Sequence, residues 1–319
     1  MFDDFLVEIA SLGIKVFIVS GNHDNSERIA FGGRLMKPSG VFPVPAYYGK
    51  TEPVTLKDEF GDVNIYMLPF IKPANVRAAF PDKADNIISY TDAVKCAIDA
   101  MDIDEADRNI LITHQFITGG VSCESEDIMV GGTDNVDAAV FDGFDYVALG
   151  HLHGPQYIER DTIRYCGTPL KYSFSECNQE KTLTVVNIVE KGNVNISEIP
   201  LDPLRDLREI KGSYNDLMKR ENYINTNTED YLHITLTDED AVPNAINKLR
   251  IVYPNVMKLD YENTRTKERS APALGGGTEN ITPAGALSEL YKMQNGREMS
   301  AQQGKYVAKL VSEIWEERS

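Results

Sequence analysis

The chain has 319 residues, 42% of them hydrophobic, and a formal charge of −17. That length accommodates one large α/β domain and a smaller one, and the acidic balance excludes a molecule that grips polyanions over its whole surface, because such binding runs on clustered Lys and Arg. No apolar run approaches the roughly 18 to 20 residues of a membrane helix, and Met1-Phe2-Asp3-Asp4 is acidic where a secretory signal is basic, so a cytoplasmic protein without a membrane span is expected. Cys96, Cys123, Cys166 and Cys177 lack C-x-x-C spacing, which argues against a zinc knuckle or a disulfide scaffold; they read as reduced thiols with no assigned role.

In chain order, Phe2, Phe5, Leu6 and Ile9 recur at helical spacing and predict an amphipathic helix that Gly13 ends. The apolar run Val16 to Val19 predicts a short buried strand that delivers Gly21-Asn22-His23-Asp24 at its carboxyl end. A helix followed by such a strand is half of a parallel α/β repeat, in which ligands collect at strand carboxyl ends. The competing reading of that tetrapeptide is a turn with a helix cap. Val63 to Leu68 predicts a strand, Thr91 to Ala100 a helix within an acidic solvated stretch, and Asn109 to Thr113 a strand that delivers His114. A lone histidine there is more often a satisfied core residue than a ligand. Gly119 to Thr133, with Ser125, Glu126 and Asp127, is too poor in apolar residues for core and reads as an active-site rim. The run Tyr146 to Leu149 then leads into Gly150-His151-Leu152-His153-Gly154, where two imidazoles one residue apart can aim at one metal centre.

Ile163 to Cys166, Leu183 to Val189 and Val194 to Ile199 alternate as strands, the last two joined by a turn at Lys191-Gly192-Asn193. The first domain then ends near Pro200. From there a strand, a helix at Ser213, the strand Tyr231 to Leu236, a helix through Ile246 and Leu249 and the strand Val256 to Tyr261 predict a small α+β module. Arg265 to Thr282, with Gly275-Gly276-Gly277, reads as a linker. After it Thr282 caps a helix with Pro283 at its first position and a stripe of Leu287, Leu290 and Tyr291; a second helix carries Tyr306, Val307, Leu310, Val311, Ile314 and Trp315. Such stripes on two short helices suit a partner protein, the alternative being a hairpin that folds back.

Four of the five histidines, His23, His114, His151 and His153, fall just past an apolar run. Imidazole, an Asn oxygen and carboxylates suit manganese, iron or zinc, whereas an all-oxygen set suits magnesium or calcium. Two such ions about 3.5 to 4 Å apart can generate hydroxide at neutral pH and clamp a phosphate ester. His23, oriented by Asp24, fits an acid near the leaving group.

Gly21-Asn22-His23-Asp24, His114 and Gly150-His151-Leu152-His153 resemble the last three motifs of the calcineurin-like metallophosphoesterases. Phe141 to His153 and Arg164 to Glu176 resemble the SbcD family, the nuclease subunits of bacterial SbcCD complexes, and the likeness spans nearly the whole chain. The resemblance implies an α/β four-layer metallophosphoesterase sandwich with two central mixed sheets over residues 1–200, a DNA-capping α+β domain over 201–264, a linker over 265–282 and SbcC-binding helices over 283–319. It implies that Asn22, His114 and His151 bind one divalent ion and His153 a second, both manganese, and that His23 assists the leaving group. It further implies a heterotetramer with two copies each of this chain and SbcC, an ATPase with a coiled coil. That complex would act on DNA as a double-strand exonuclease and single-strand endonuclease in recombination, replication and repair. The expected SbcC contacts are Leu287, Leu290, Tyr291, Leu310, Ile314 and Trp315. The family's Asp-x-His and Gly-Asp-x-x-Asp motifs, which supply the remaining ligands and the bridging carboxylate, are absent from the residues before Gly21, and Asp3 and Asp4 on a helix are poor substitutes. The chain therefore reads as truncated at the amino terminus, beginning at the helix that follows the second motif, and inactive by itself. Two alternatives stand beside this reading: a metallophosphoesterase for a small phosphoester, and a non-catalytic SbcC-binding scaffold.

Overall fold

A computed structural model describes residues 2–44, 46–126, 134–264, 266, 283–295 and 298–316, without the side chains of 283, 284, 286, 293–295 and 312–316. The expectations for Asp127, most of the 265–282 linker, the Thr282 cap and the side chains of Ile314 and Trp315 lie outside the described residues. Met1–Glu262 form one compact unit and Asn263–Ser319 a second.

The first unit opens with helix α1 (Phe2–Ser11), followed by Gly13 at φ +75°, a left-handed turn that glycine adopts without a Cβ clash. Strand β1 (Val16–Ile18) pairs in parallel with β2 (Val41–Pro43), and helices α2 (Ser26–Ala30) and α3 (Gly33–Met36) lie between them in sequence. The Phe17 and Phe42 rings stack across this pair with centroids 5.1 Å apart.

The main sheet has six strands: β3 (Val54–Asp58), β4 (Gly61–Leu68), β5 (Arg108–His114), β8 (Tyr146–Gly150), β9 (Gln156–Ile158) and β10 (Arg160–Tyr165), in the order β3-β4-β5-β8-β10-β9. The four inner strands run parallel and the two edge strands antiparallel. Inner strands covered on both faces need unbroken apolar sequence, and Leu68, Leu111, Val147, Ile163 and Tyr165 are fully buried accordingly. After α4 (Pro73–Ala79), α5 (Tyr90–Asp99) contributes Ala93, Val94 and Ala97 to this core, residues small enough for close approach of helix to sheet. A capping box starts α5: Ser89 Oγ accepts from Asp92 N–H at 3.1 Å, and Asp92 accepts from Ser89 N–H at 2.8 Å. Two short strands, β6 (Phe116–Ile117) and β7 (Asn135–Val136), form a parallel pair just beyond β5. Outside this sheet, β1–β2 and β6–β7 stand as separate two-stranded pairs among the described residues.

Arg108, the first residue of β5, is buried and forks onto Asp58, with further hydrogen bonds to Gly61 O at 2.9 Å and Val189 O at 2.6 Å. It thereby fastens the start of β5 to the β3–β4 turn and to the hairpin of β11 (Thr182–Ile188) and β12 (Val194–Pro200).

Strands β13 (Leu207–Gly212), β14 (Tyr231–Leu236) and β15 (Val256–Tyr261) make a parallel sheet with its own core of Leu232, Ile234, Leu236, Leu249 and Tyr253. Ser213 caps the helix after β13 by accepting from Asp216 N–H at 3.1 Å. Segment 171–176 meets this module: Lys171 Nζ donates to Asp206 at 2.9 Å, and the Phe174 ring lies 5.3 Å from the ring of His233. In the second unit, helices Pro283–Asn295 and Ala301–Glu316 touch through Gln303 Nε2, which donates to Tyr291 Oη at 3.3 Å.

Candidate metal centre

Parallel pairing of β5 with β8 sets His114 opposite Gly150, so the end of one strand lies beside the turn that carries His151. The loop after β1 closes over the same point. A Cβ on Gly21 would stand 2.7 Å from His114 Cε1, and a Cβ on Gly150 would stand 2.7 Å from His114 Nδ1. Both glycines are therefore required for the same imidazole to fit.

Three donor atoms converge there. His114 Nε2 lies 2.9 Å from Asn22 Oδ1 and 3.4 Å from His151 Nδ1. Metal–nitrogen bonds of roughly 2.0 to 2.1 Å put neighbouring ligands about 3 Å apart, so this spacing suits one divalent ion. His151 Nε2 is buried without a hydrogen-bond partner, and its backbone sits at φ +117°, a region that L-residues seldom occupy and one seen at strained functional positions. Burial, followed by the neighbouring His151, lowers the His114 pKa from 6.5 to about 4, and burial lowers that of His151 as well. Both rings are thus neutral at pH 7 and keep a lone pair for a cation. Phe70 and Phe116 pack edge-on or tilted against them, with centroids 6.2 Å from His114 and 5.8 Å from His151.

His23 is exposed in the turn that carries Asn22. Asp24 turns its carboxylate back to accept from Gly21 N–H at 2.7 Å, which holds the turn shut.

His153 belongs to a neighbouring cluster. Ser125 Oγ lies 2.8 Å from His153 Nδ1 and donates to Glu176 Oε1 at 2.6 Å. With its one proton committed to Glu176, the hydroxyl accepts from His153 Nδ1–H, which leaves the Nε2 lone pair open for a cation, the arrangement by which a neighbouring carboxylate commonly orients a ligating imidazole. Burial pushes the Glu176 pKa up, but hydrogen bonds from Lys181 and Ser125 and the Lys181 charge override it and bring it to about 2. Lys181 Nζ also donates to His153 O at 2.8 Å. Gly167 lies against that carbonyl at φ +76°, where a Cβ would come within 2.6 Å of His153 O. The stretch from Arg164 to Glu176 therefore cradles His153 from both its backbone and its side chain.

A sequence model of calcineurin-like phosphoesterases matches residues 2–155, the span that contains Asn22, His114, His151 and His153. The SbcD carboxyl-terminal family model, described as the type 5 capsule protein repressor C-terminal domain, matches residues 203–295. The chain belongs to the SbcD-type calcineurin-like metallophosphoesterases. Its first domain is thus of the metal-dependent phosphoesterase type, from a family that uses divalent ions.

In this phosphoesterase the structure brings Asn22, His114 and His151 into one cluster and sets His153 in a second with Ser125. Ser125 and Glu126 come from the loop already read as a rim. Glu176 and Lys181 had no periodic or spacing signal, because their role depends on a contact 51 residues away in sequence, between Ser125 and Glu176.

Two expectations follow from this phosphoesterase centre. The unfolded chain protonates His114 near pH 6.5 and the folded chain near pH 4. The stabilisation from keeping this ring neutral is therefore complete above pH 6.5 and is lost as pH falls towards 4, by about 3 kcal/mol in total. In urea titrations the gap between the native chain and His114→Gln should narrow by that amount between pH 7 and 4; a constant gap would show that the ring is not held neutral. For the Lys181–Glu176 pair, 2.7 Å apart with both side chains under 5% exposed, Lys181→Met should lower stability by about 3 to 5 kcal/mol by stranding a buried carboxylate. Urea denaturation should also show Glu176→Gln combined with Lys181→Met recovering part of that loss.

Proposed function

We propose that this chain belongs to the nuclease subunit of an SbcCD-type assembly, which hydrolyses DNA phosphodiesters with two manganese ions once the Asp-x-His and Gly-Asp-x-x-Asp motifs complete the site. The observation that carries this reading is the convergence of Asn22 Oδ1, His114 Nε2 and His151 Nδ1 at strand ends, in a chain that continues into an SbcD-type carboxyl-terminal domain. A small phosphoester requires neither the α+β module nor the terminal helices.

In this reading Asn22, His114 and His151 hold one ion and His153 the other. When bound, the ions supply a hydroxide nucleophile at neutral pH and neutralise phosphate charge. His23 donates a proton to the leaving oxygen, and Ser125 with Glu176 fixes the ring of His153. The formal charge of −17 means that DNA is attracted by bound cations and by the partner more than by this chain's own surface. The module over 201–264 caps the DNA. The helices over 283–319 dock on the coiled-coil base of SbcC, a reading supported by Leu287, Leu290 and Leu310 standing 44%, 49% and 36% exposed. Burying each on a partner is worth roughly 1.5 to 3 kcal/mol.

The 319 residues contain no Asp-x-His or Gly-Asp-x-x-Asp motif to provide the bridging carboxylate. This chain alone should therefore bind manganese weakly by calorimetry and leave single-stranded DNA intact. Joined to a segment that supplies both motifs, it should cleave single-stranded DNA only with manganese, and His23→Ala should slow cleavage about 10² to 10⁴ fold with metal content unchanged. Two tightly bound ions in the 319-residue chain, or loss of metal in His23→Ala, would overturn these assignments.

The docking surface is tested separately by titrating the full chain against SbcC heads with their coiled-coil roots. Leu287→Glu with Leu290→Glu should weaken binding at least about tenfold, since each buried leucine contributes more than the 1.4 kcal/mol that a decade requires. Unchanged affinity would place the interface elsewhere.

A further inference from the structure

The loop after β6 sets three chemically different ligands together. Glu126 N–H donates to Cys123 O at 3.3 Å, closing a turn that places the two side chains near one another. The Glu126 carboxylate accepts from the N–H groups of both Cys123, at 2.8 Å, and His153. It is therefore tied to the backbone of the two residues that flank it in space. Cys123 Sγ, a Glu126 oxygen and an imidazole nitrogen of His153 all lie within 4.8 Å of one another, and all three residues are half-buried.

We propose that Cys123, Glu126 and His153 form a site for a thiophilic divalent cation, with zinc as the occupant. One sulfur, one nitrogen and one oxygen ligand with a fourth position open to water is a set that zinc accepts in tetrahedral geometry. A thiolate disfavours magnesium, calcium and manganese, which prefer oxygen. Burial raises the pKa of the Cys123 thiol, so the cation-free site holds a protonated sulfur, 3.1 Å from Ser125 Oγ. Binding replaces that proton, which leaves to solvent, and the cation then bonds the thiolate. Bonds of roughly 2.0 to 2.3 Å require the three atoms to draw closer than in the cation-free chain.

This site shares no ligand with the Asn22–His114–His151 cluster. A neutral imidazole offers one ligating lone pair, so His153 serves either this site or the second ion of the phosphoesterase centre. That competition rests on the ligand assignment proposed above; the site itself does not.

The test uses the full 319-residue chain, reduced, and cobalt(II) as a spectroscopic stand-in for zinc. Cobalt should produce a saturable thiolate-to-metal charge-transfer band that zinc displaces. The band should vanish in Cys123→Ala and persist in Cys166→Ala, Cys177→Ala and Asn22→Ala, the last of which alters only the other cluster. Zinc affinity should fall at least about tenfold in Cys123→Ala. As a check that needs no variant, zinc should slow iodoacetamide modification of Cys123 at least about tenfold, read by peptide mass spectrometry, while Cys166 reacts as before. No charge-transfer band, a band that survives Cys123→Ala, or unprotected Cys123 in the native chain would overturn the proposal.

Discussion

The centre of this protein depends on a close fit of one aromatic ring against two stretches of bare backbone. His114 occupies a slot whose walls are Gly21 and Gly150, and a single methyl group on either wall would come within 2.7 Å of the ring. The two glycines lie 129 positions apart in the chain and have no need of each other except through this histidine. The apolar strands that bring them together, the turn that Asp24 closes, and the unusual backbone of His151 all serve the same slot. Because the ring is dehydrated there, it remains neutral, and a neutral ring facing a second imidazole and an amide oxygen is chemistry suited to a cation.

What could be read in advance follows the physics of burial. β4, β5 and β8 were legible because strands covered on both faces require unbroken apolar sequence, and His114 and His151 stood at the ends of two of those runs. The α+β module was legible for a related reason, since Ser213 and the apolar strands Tyr231–Leu236 and Val256–Tyr261 mark its elements. β2 was hidden by its length of 3 residues and its proline, β3 by its charged edge residues Lys57 and Asp58, and β9 by being another 3-residue edge strand. The support of His153 was hidden more deeply, because Ser125, Glu176 and Lys181 assemble only once the chain has folded.

The turn from Phe174 to Glu176 faces two ways. Glu176 reaches into the phosphoesterase domain to Ser125 and His153, while Phe174 lies against His233 on the α+β module. Lys171 binds Asp206 alongside it. The segment that cradles a candidate ligand is thus also the segment on which the module rests, and the two share one short piece of backbone.

Arg108 stands at the opposite end of β5 from His114, about 20 Å away along an extended strand. Side chains on a strand alternate between faces, so a slip of one residue would turn His114 to the wrong side and carry Leu111 out of the core. Apolar neighbours such as Ile110 and Ile112 do little to forbid that slip, since each resembles the residue it would replace. A guanidinium forked onto Asp58 and two carbonyl oxygens does forbid it, because no adjacent position can make the same bonds. The strand behaves as a ruler with its zero mark nailed down, and the position of the imidazole at its far end is read from a charge that never touches it.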